Sequence, residues 1–514
     1  MANKKKEWLV MIYLSADNDL SEEAVWSLLE VLRAGPSDEV GVVVQIDPRF
    51  EGIRRFDLAK LFVGEGKKLR SNVAAHRDQV RSKLLSRGRR VRARDNMATV
   101  KALTEFIIES KRPPNEANRH LLILSGHGGG PTGSSFLVDQ FPAQGVSMRG
   151  VRKAIRKARG VDVVGMDSCG MGMAEIGNQL SDCAEFLVAS EGFELNTGWP
   201  YFPIIEALKK NPEMDARTLA ATVVQIHTDY YSNYLMAGVS TDMAACDLKK
   251  APDLTSSIQE LARELTGNLL LRQRFSHKAD SPRDKRVFVE DLRLAKRSVA
   301  DAIILAHWRA QSYRFERHTD LYDFCDLLDD GCRDEGVSEA CKKVKSIIKG
   351  KKTDDGTYDG YVIKSCHSGV MFQHSHGVAV YFPWAAVDKD YSELRLSRKA
   401  GWDLFLKAYV RRTRRRPRDD SGVVELVAQA DDSASAMRDF PELGTKDFPE
   451  LGTKDFPELS TKDFPELGTR DFPELGTKDF PELGTKDFPE LGTKGKVLIP
   501  EMKNPPDIFF KDPC

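Results

Sequence analysis

Residues 120–130, HLLILSGHGGG, join a short apolar run to a histidine that lies among glycines. An apolar run of this length, bounded by turn residues, predicts a buried strand, which here covers Leu121–Leu124. His127 would then follow the carboxyl end of that strand. A histidine needed only for packing would have bulky neighbours, whereas glycines leave bare main chain that a substrate can approach. The stretch therefore predicts a core strand with a functional histidine at its end.

The same alternation covers the first 200 residues and predicts an α/β fold. Continuous apolar strands separated by helical patterns indicate a mostly parallel central sheet that is covered on both faces. The predicted strands are Trp8–Leu14, Gly41–Ile46, Leu121–Leu124, Val161–Met166 and Glu185–Ala189. The predicted helices are Glu22–Arg33, Ala98–Ser110, Arg149–Ala158 and Met171–Leu180. Ligands bind at the carboxyl ends of strands in such sheets, so the residues that follow the strands are the first candidates for a site.

The second such stretch is VDVVGMDSCGMGMAEI, residues 161–176. Cys169 follows the strand and opens the predicted helix, whose N-terminal partial charge stabilises a thiolate. If the two strands are neighbours, His127 deprotonates Cys169 and later protonates the leaving amine. The backbone N–H groups of Gly128 and Cys169 would bind the oxyanion. A lone cysteine at such a point is often simply buried, but the two glycine-flanked strand ends together predict a catalytic dyad.

Asp167 lies two residues before Cys169, on the same face of the predicted strand. Its carboxylate would reach the pocket for the side chain before the scissile bond and would favour Arg, which pairs in bidentate fashion, or Lys. The alternative role is an N-cap of the turn that follows. Glu191 and Glu194 follow the next predicted strand and are further substrate-binding candidates for the same pocket.

Composition narrows the class of protein. The 514 residues are enough for one large domain or two to three ordinary ones, and the formal net charge is zero, which excludes a whole-chain polyanion binder. Eight cysteines without a CxxC pair fit a reducing compartment. The apolar stretch Trp8–Leu14 is short and lacks a small-residue cleavage site, so it predicts a strand and not a signal peptide. No apolar run is long enough for a membrane helix, and the predicted location is the cytoplasm.

The remainder of the chain divides by composition. Residues 201–412 combine helices with two strand-like runs and predict a C-terminal subdomain packed on the catalytic core. The unit DFPELGTK then recurs seven times, with a Pro and a Gly in nearly every copy, which predicts a disordered tail; the alternative is a multivalent docking array. The predicted divisions are the catalytic core 1–200, the C-terminal part 201–412, the linker 413–438, the repeats 439–494 and the tail 495–514.

A basic insertion at residues 67–95 interrupts the core. Residues 67–94 hold eleven Lys or Arg and one acid. The pattern indicates a solvated loop, and a protease-sensitive activation loop is the second interpretation. Nucleic acid is the least favoured partner, because no aromatic side chain is present to stack on bases. Cleavage at basic residues would fall at Arg87, Arg90, Arg94 or, further on, at Arg149.

These motifs resemble the clostripain family of cysteine peptidases, which belongs to the caspase-like clan with gingipain and legumain. The matching segments, from residue 8 to about 410, are WLVMIYLSADNDL, LLILSGHGGG, VVGMDSCGMGMAEI, ASEGFELNTGWPY, DLYDF, HGVAVYFP and YSELRLSRKAGWDLFLKAYV. The resemblance implies a caspase-like α/β sandwich, a dyad of His127 and Cys169, and cleavage after basic residues with Asp167 in the specificity pocket. It also implies a precursor that is activated by cleavage.

The resemblance has consequences for partners and cofactors. Family processing commonly falls between the histidine and cysteine segments, but residues 128–148 contain no Lys or Arg. The partners expected are protein substrates and an activating protease within a stress or defence cascade, with no membrane. The chemistry requires no cofactor; the resemblance adds calcium, for which Asp17, Asp19 and Asp47 are the candidates. Cys366 and the histidines after it match no common metal spacing, so no metal ligand is predicted there. The competing function is a pseudo-peptidase scaffold that acts through the repeats and the basic loop.

Overall fold

The computed structural model describes residues 5–61, 77–91, 96–132, 136–140, 143–270, 299–313 and 317–413. The strands are β1 (Lys6–Leu14), β2 (Val40–Ile46), β3 (Arg54–Asp57), β4 (Arg89–Arg90), β5 (Ala117–Ser125), β6 (Phe136–Gln140), β7 (Ala143–Val146), β8 (Val161–Asp167), β9 (Ala184–Ala189), β10 (Thr241–Asp247), β11 (Ser312–Tyr313), β12 (His318–Asp320), β13 (Val362–Ser368) and β14 (Ala379–Tyr381). The α-helices are α1 (Ser21–Ala34), α2 (Leu58–Leu61), α3 (Arg77–Ser86), α4 (Val100–Ser110), α5 (Met148–Lys157), α6 (Ala174–Leu180), α7 (Tyr201–Lys210), α8 (Ala216–Ser232), α9 (Ala251–Leu270), α10 (299–309), α11 (Leu321–Gly331), α12 (Glu335–Lys349), α13 (Arg395–Ala400) and α14 (Trp402–Thr413).

A nine-stranded sheet organises the described residues, in the order β13-β10-β9-β8-β5-β1-β2-β3-β4. The five central strands, from β9 to β2, pair in parallel. The two strands at each edge pair antiparallel. The prediction of an α/β fold with a mostly parallel central sheet is confirmed.

Both faces of the sheet are covered, as continuous apolar strands require. Strand β1 shows how its sequence serves two cores, because successive side chains point to opposite faces. Its even-numbered residues from Trp8 to Leu14 share a core with α1, α7 and α8. Its odd-numbered residues from Leu9 to Tyr13 share a core with α4, α5, α6 and α9.

The predicted strands and helices of the first 200 residues are all present, with ends that differ by a few residues. The two strand-like runs of the C-terminal part form β10 and β14. Residue 200 does not separate two sheets, since β10 and β13 continue the central sheet beyond β9. None of the helices in the described ranges is both long enough and apolar enough to cross a membrane.

The basic insertion is described only in part. The expectation of a solvated loop is wrong for residues 77–90, which form α3 and the short edge strand β4. The reason is that Leu84 and Leu85 are 2% and 1% exposed and join the core that contains α1. Residues 62–76 and 92–95, with Arg94, lie outside the described residues, as do residues 414–514, which hold the rest of the linker, the repeats and the tail.

Candidate active site

The register of β5 and β8 brings the two predicted catalytic segments together. Ser125 at the end of β5 pairs with Asp167 at the end of β8 in the parallel ladder. His127 and Cys169 each follow two residues later, so they leave adjoining strands at the same level. The sequence prediction of neighbouring strands is therefore confirmed.

Gly128 lies directly against the main chain of the cysteine. A Cβ atom at Gly128 would come within 2.6 Å of the Cys169 carbonyl oxygen and 3.1 Å of its nitrogen. Real Cβ atoms do not approach backbone this closely, so only glycine allows the two loops to pack. The run of glycines after His127 thus has a structural cause in addition to substrate access.

The imidazole of His127 is oriented by a carboxylate. The side chain is 3% exposed, and Nε2 lies 2.6 Å from Oδ1 of Asp19. A carboxylate accepts hydrogen bonds, so this contact places the ring proton on Nε2. The Nδ1 atom is buried and has no hydrogen-bond partner in the described part of the chain, which leaves it as the proton acceptor. Sequence reasoning missed this role of Asp19, because the contact joins residues 108 positions apart.

Cys169 is 4% exposed and lies in a turn that is tied to the loop after β9. The backbone N–H of Glu194 donates to Sγ at 3.3 Å. The N–H groups of Gly170 and Gly172 donate to the carbonyls of Gly192 and Ser190, at 2.8 and 2.6 Å. Since these donors serve the neighbouring loop, no helix can begin here. The prediction that Cys169 opens a helix is wrong, because α6 begins at Ala174.

Asp167 is fully buried beneath the cysteine turn. Its Oδ2 atom accepts hydrogen bonds from the hydroxyls of Ser125, at 2.8 Å, and of Tyr201, at 2.7 Å. A Cβ atom at Gly198 would lie 2.7 Å from the same oxygen. Met173, and not Asp167, is the N-cap residue of α6.

A narrow cavity of about 10 Å³ borders these neighbours of Asp167. It is lined by the strand-end residues Leu14, Ser15, Ser125 and Gly126, by Asn196 and Gly198, and by Leu20, Glu23, Ala24 and Ser27 at the start of α1. A single water needs about 10–15 Å³, so an arginine side chain requires one of these walls to move. A larger cavity of about 420 Å³, near the amino ends of β2 and β5, is lined by Arg55, Arg87 and Arg112 among others and is remote from the dyad.

Glu191 and Glu194 are buried, and both carboxylates have internal partners. Glu191 accepts the N–H of Gly377 at 2.7 Å, and Glu194 lies 3.2 Å from Nε2 of His227. Burial, with Asp320 and Asp242 nearby, raises the pKa of Glu191 well above its usual range. These contacts support the loop beside Cys169; a role in substrate binding stays a prediction.

The described candidate processing residues lie on the surface. Arg87 follows α3 and Arg90 ends β4, and both are exposed. Arg149 is the second residue of α5 and pairs with Glu393. Cleavage at Arg149 would have to unwind a helix, so the two residues near β4 are the more accessible.

His318 is a residue of the site that the sequence did not reveal. It lies on β12 and is 2% exposed. A Cβ atom at Gly130 would come within 2.5 Å of its ring, and one at Gly170 within 3.5 Å. The ring therefore packs against both the histidine loop and the cysteine turn. No local motif marks this residue, since its place depends on the pairing of β12 with β14.

The calcium that the family resemblance implies stays a prediction. The described residues contain no group of three or more His, Cys, Asp or Glu side chains that could hold a metal ion. Of the three candidates, Asp19 contacts His127. Asp47 is close to other carboxylates, and burial together with Asp139 and Asp17 raises its pKa to about 7.

Comparison with known proteins agrees with this architecture. A structure of an inactive zymogen of a C11 protease from Parabacteroides distasonis superposes with a TM-score of 0.52 at 15% identity, covering 78% of this chain and 99% of that chain. A secreted C11 cysteine protease from Bacteroides thetaiotaomicron, in complex with an irreversible peptide inhibitor, gives 0.51 at 14% identity, covering 77% and 100%. At these identities the likeness shows a shared α/β fold.

The family follows from the sequence comparison. The model of the clostripain family matches residues 12–408. The chain belongs to the clostripain family of cysteine proteases, and the resemblance seen in its motifs is confirmed. No curated protein sequence matches this chain.

Glu175, in the first turn of α6, is a buried carboxyl whose protonation affects the stability of the fold. Its carboxylate accepts the N–H of Tyr381 at 3.0 Å and the hydroxyl of Tyr391 at 2.8 Å. Burial raises its pKa from 4.5 to about 7. The folded protein therefore binds a proton that the unfolded chain releases, and this stabilisation is lost as pH rises through about 7.

We predict that, relative to Glu175→Gln, the free energy of unfolding of the wild type falls by about 3 kcal/mol between about pH 4.5 and pH 8. Urea unfolding at several pH values measures the difference. The control is Glu185→Gln, which changes a carboxylate that is 44% exposed. The same pH dependence in both comparisons would contradict the role given to Glu175.

Proposed function

We propose that this protease is an endopeptidase that cleaves proteins after Arg, and also after Lys, and that it is made as a latent precursor. The observation that carries the proposal is the contact of Gly128 with the Cys169 backbone, because it sets the histidine and cysteine loops side by side. We further propose that it acts in the cytoplasm, within a stress or defence cascade, after cleavage by itself or by another protease.

The mechanism uses groups of this chain alone. His127 takes the thiol proton on Nδ1, and the Cys169 sulfur attacks the substrate carbonyl carbon. The N–H groups of Gly128 and Cys169 would stabilise the oxyanion. The imidazolium then protonates the leaving amine, and water hydrolyses the thioester. Asp19 holds the ring through its contact with Nε2, and no step requires a metal ion.

The buried carboxylate of Asp167 supports both the proposed specificity and the proposed latency. Asp167 is fully buried and accepts hydrogen bonds from the hydroxyls of Ser125 and Tyr201, and a guanidinium pairs with a carboxylate in bidentate fashion. The adjacent cavity of about 10 Å³ is too small for that side chain. Both facts fit a precursor whose specificity pocket opens after cleavage, for which Arg87 and Arg90 are the exposed candidates.

The dyad is tested with a fluorogenic Arg peptide and the full chain, before and after treatment with immobilised trypsin that is then removed. We expect turnover by the treated wild type and none above background with Cys169→Ala or His127→Ala. Cys183→Ala is the matched control, because Cys183 is also buried but lies beside the amino end of β8, where its carbonyl accepts the N–H of Val161. Equal turnover by wild type and Cys169→Ala would remove the basis of the proposal.

The orienting role of Asp19 predicts a loss in kcat. We expect Asp19→Asn to lower kcat by roughly 10²-fold, the scale of general-base catalysis, while KM stays within twofold. The control is Asp17→Asn, the same change two residues earlier in the loop. Steady-state kinetics on the Arg peptide measure both. A normal kcat with Asp19→Asn would show that His127 is oriented without this carboxylate.

Asp167 predicts selectivity for a charged side chain. With peptides that carry Arg or its neutral isostere citrulline before the scissile bond, Asp167→Asn should lower kcat/KM for Arg by more than tenfold and leave the citrulline value nearly unchanged. Tyr201→Phe removes one hydroxyl partner but keeps the carboxylate, so it should keep the preference for Arg. An unaltered Arg-to-citrulline ratio in Asp167→Asn would exclude Asp167 from the pocket.

A further inference from the structure

Residues 19–23, which end the β1–α1 loop and begin α1, touch both halves of the candidate site. At its start, Asp19 contacts the ring of His127. Further on, Leu20 and Glu23 line the narrow cavity beside Asp167. Whatever fixes this segment therefore fixes one wall of the specificity pocket.

The start of α1 is held from outside the helix. Its N-cap residue, Leu20, provides no side-chain cap. Instead, the guanidinium of Arg81 on α3 pairs with the Glu22 carboxylate. It also donates to the hydroxyl of Ser21 at 3.3 Å. A second ion pair, from Nε of Arg81 to Glu51 at 2.8 Å, completes the fork.

The position of Arg81 is fixed by its partial burial, its ion pairs and its helix. Arg81 is 17% exposed and Glu51 is 30% exposed, so their ion pair is less screened by solvent than the pair with Glu22, which is 68% exposed. Its helix, α3, is anchored by the buried Leu84 and Leu85. Two contacts of the guanidinium, to Glu22 and Ser21, reach the first turn of α1, and the third ties Arg81 to Glu51 in the loop after β2.

The other walls of the cavity do not depend on the basic insertion. On the side of Gly198, the hydroxyl of Tyr231 donates to the carbonyl of Gly198 and contacts Thr197. Before the segment, Asn18 is fully buried and donates to the carbonyl of Val138 at 2.7 Å. The first turn of α1 is thus the wall whose support comes from the part of the chain that carries Arg87 and Arg90.

We infer that Arg81 is a latch: it holds the first turn of α1 against the cavity beside Asp167 and keeps the precursor from admitting an arginine side chain. Cleavage at Arg87 or Arg90 frees the end of α3, releases Arg81 and lets this wall move. The inference rests on the proposed function, since it assigns the regulation of the same pocket.

The test measures binding of an arginine mimic, so that it does not depend on turnover. The probe is p-aminobenzamidine, whose fluorescence rises when it is bound, added to full-length chains that carry Cys169→Ala and cannot process themselves. The variants are Arg81→Gln, the partner change Glu22→Gln, and Lys83→Gln as the matched control, since Lys83 is an exposed cation on the same helix. The reference is the Cys169→Ala chain cut by trypsin within residues 87–90, with the cut confirmed by N-terminal sequencing.

We expect Arg81→Gln to bind the probe at least tenfold more tightly than the uncut chain and to approach the cut reference. Glu22→Gln should shift binding in the same direction, and Lys83→Gln should stay within twofold. Tight binding by the cut reference but not by Arg81→Gln would overturn the latch alone. Absence of binding by the cut chain would overturn the Asp167 pocket, and with it the proposed specificity.

Discussion

The close approach of two strand ends is the constraint on which the site depends. Parallel pairing of β5 with β8 puts Ser125 level with Asp167, so the loops that follow must share one narrow space. Gly128 resolves this conflict, because any side chain there would strike the carbonyl of Cys169. The arrangement of histidine and cysteine is therefore a consequence of sheet register and of one residue without a Cβ atom.

Buried carboxylates then fix the loops around the cysteine. Burying an ionised group is costly unless hydrogen bonds compensate. Here the compensating donors are backbone N–H groups of the loops. Asp242 on β10 accepts the N–H groups of Glu191 and Gly192, at 2.7 and 3.0 Å. The carbonyl of Gly192 in turn accepts the N–H of Gly170. A strand contributed by the C-terminal part thus determines where the cysteine turn lies, which explains why the sheet continues past residue 200.

Features that depend on neighbouring residues could be predicted from the sequence, whereas features that depend on contacts between residues distant in the chain could not. The central strands were predictable because burial on both faces requires continuous apolar runs, as in Val161–Met166. The loops after them were predictable as sites because glycine and a reactive side chain share a short motif. The start of α6 was not predictable, since the N–H groups of Gly170 and Gly172 form hydrogen bonds with the loop after β9. Asp19 and His318 were not either, because each reaches the site through contacts with residues distant in sequence.

The latch also explains how cleavage at one edge of the sheet could act on a site at its centre. Strand β4 is separated from β5 by three strands, so a cut beside it uncovers nothing at His127 or Cys169. A direct route on the described structure runs through α3 to the first turn of α1, where Arg81 meets Ser21 and Glu22. Residues 128–148 offer no Lys or Arg, and the first basic residue after them, Arg149, lies in helix α5, so an Arg-specific protease has no cut between its two catalytic loops before that helix. A latch on the wall of the specificity pocket would control substrate access and leave the tightly packed contact of Gly128 with Cys169 undisturbed.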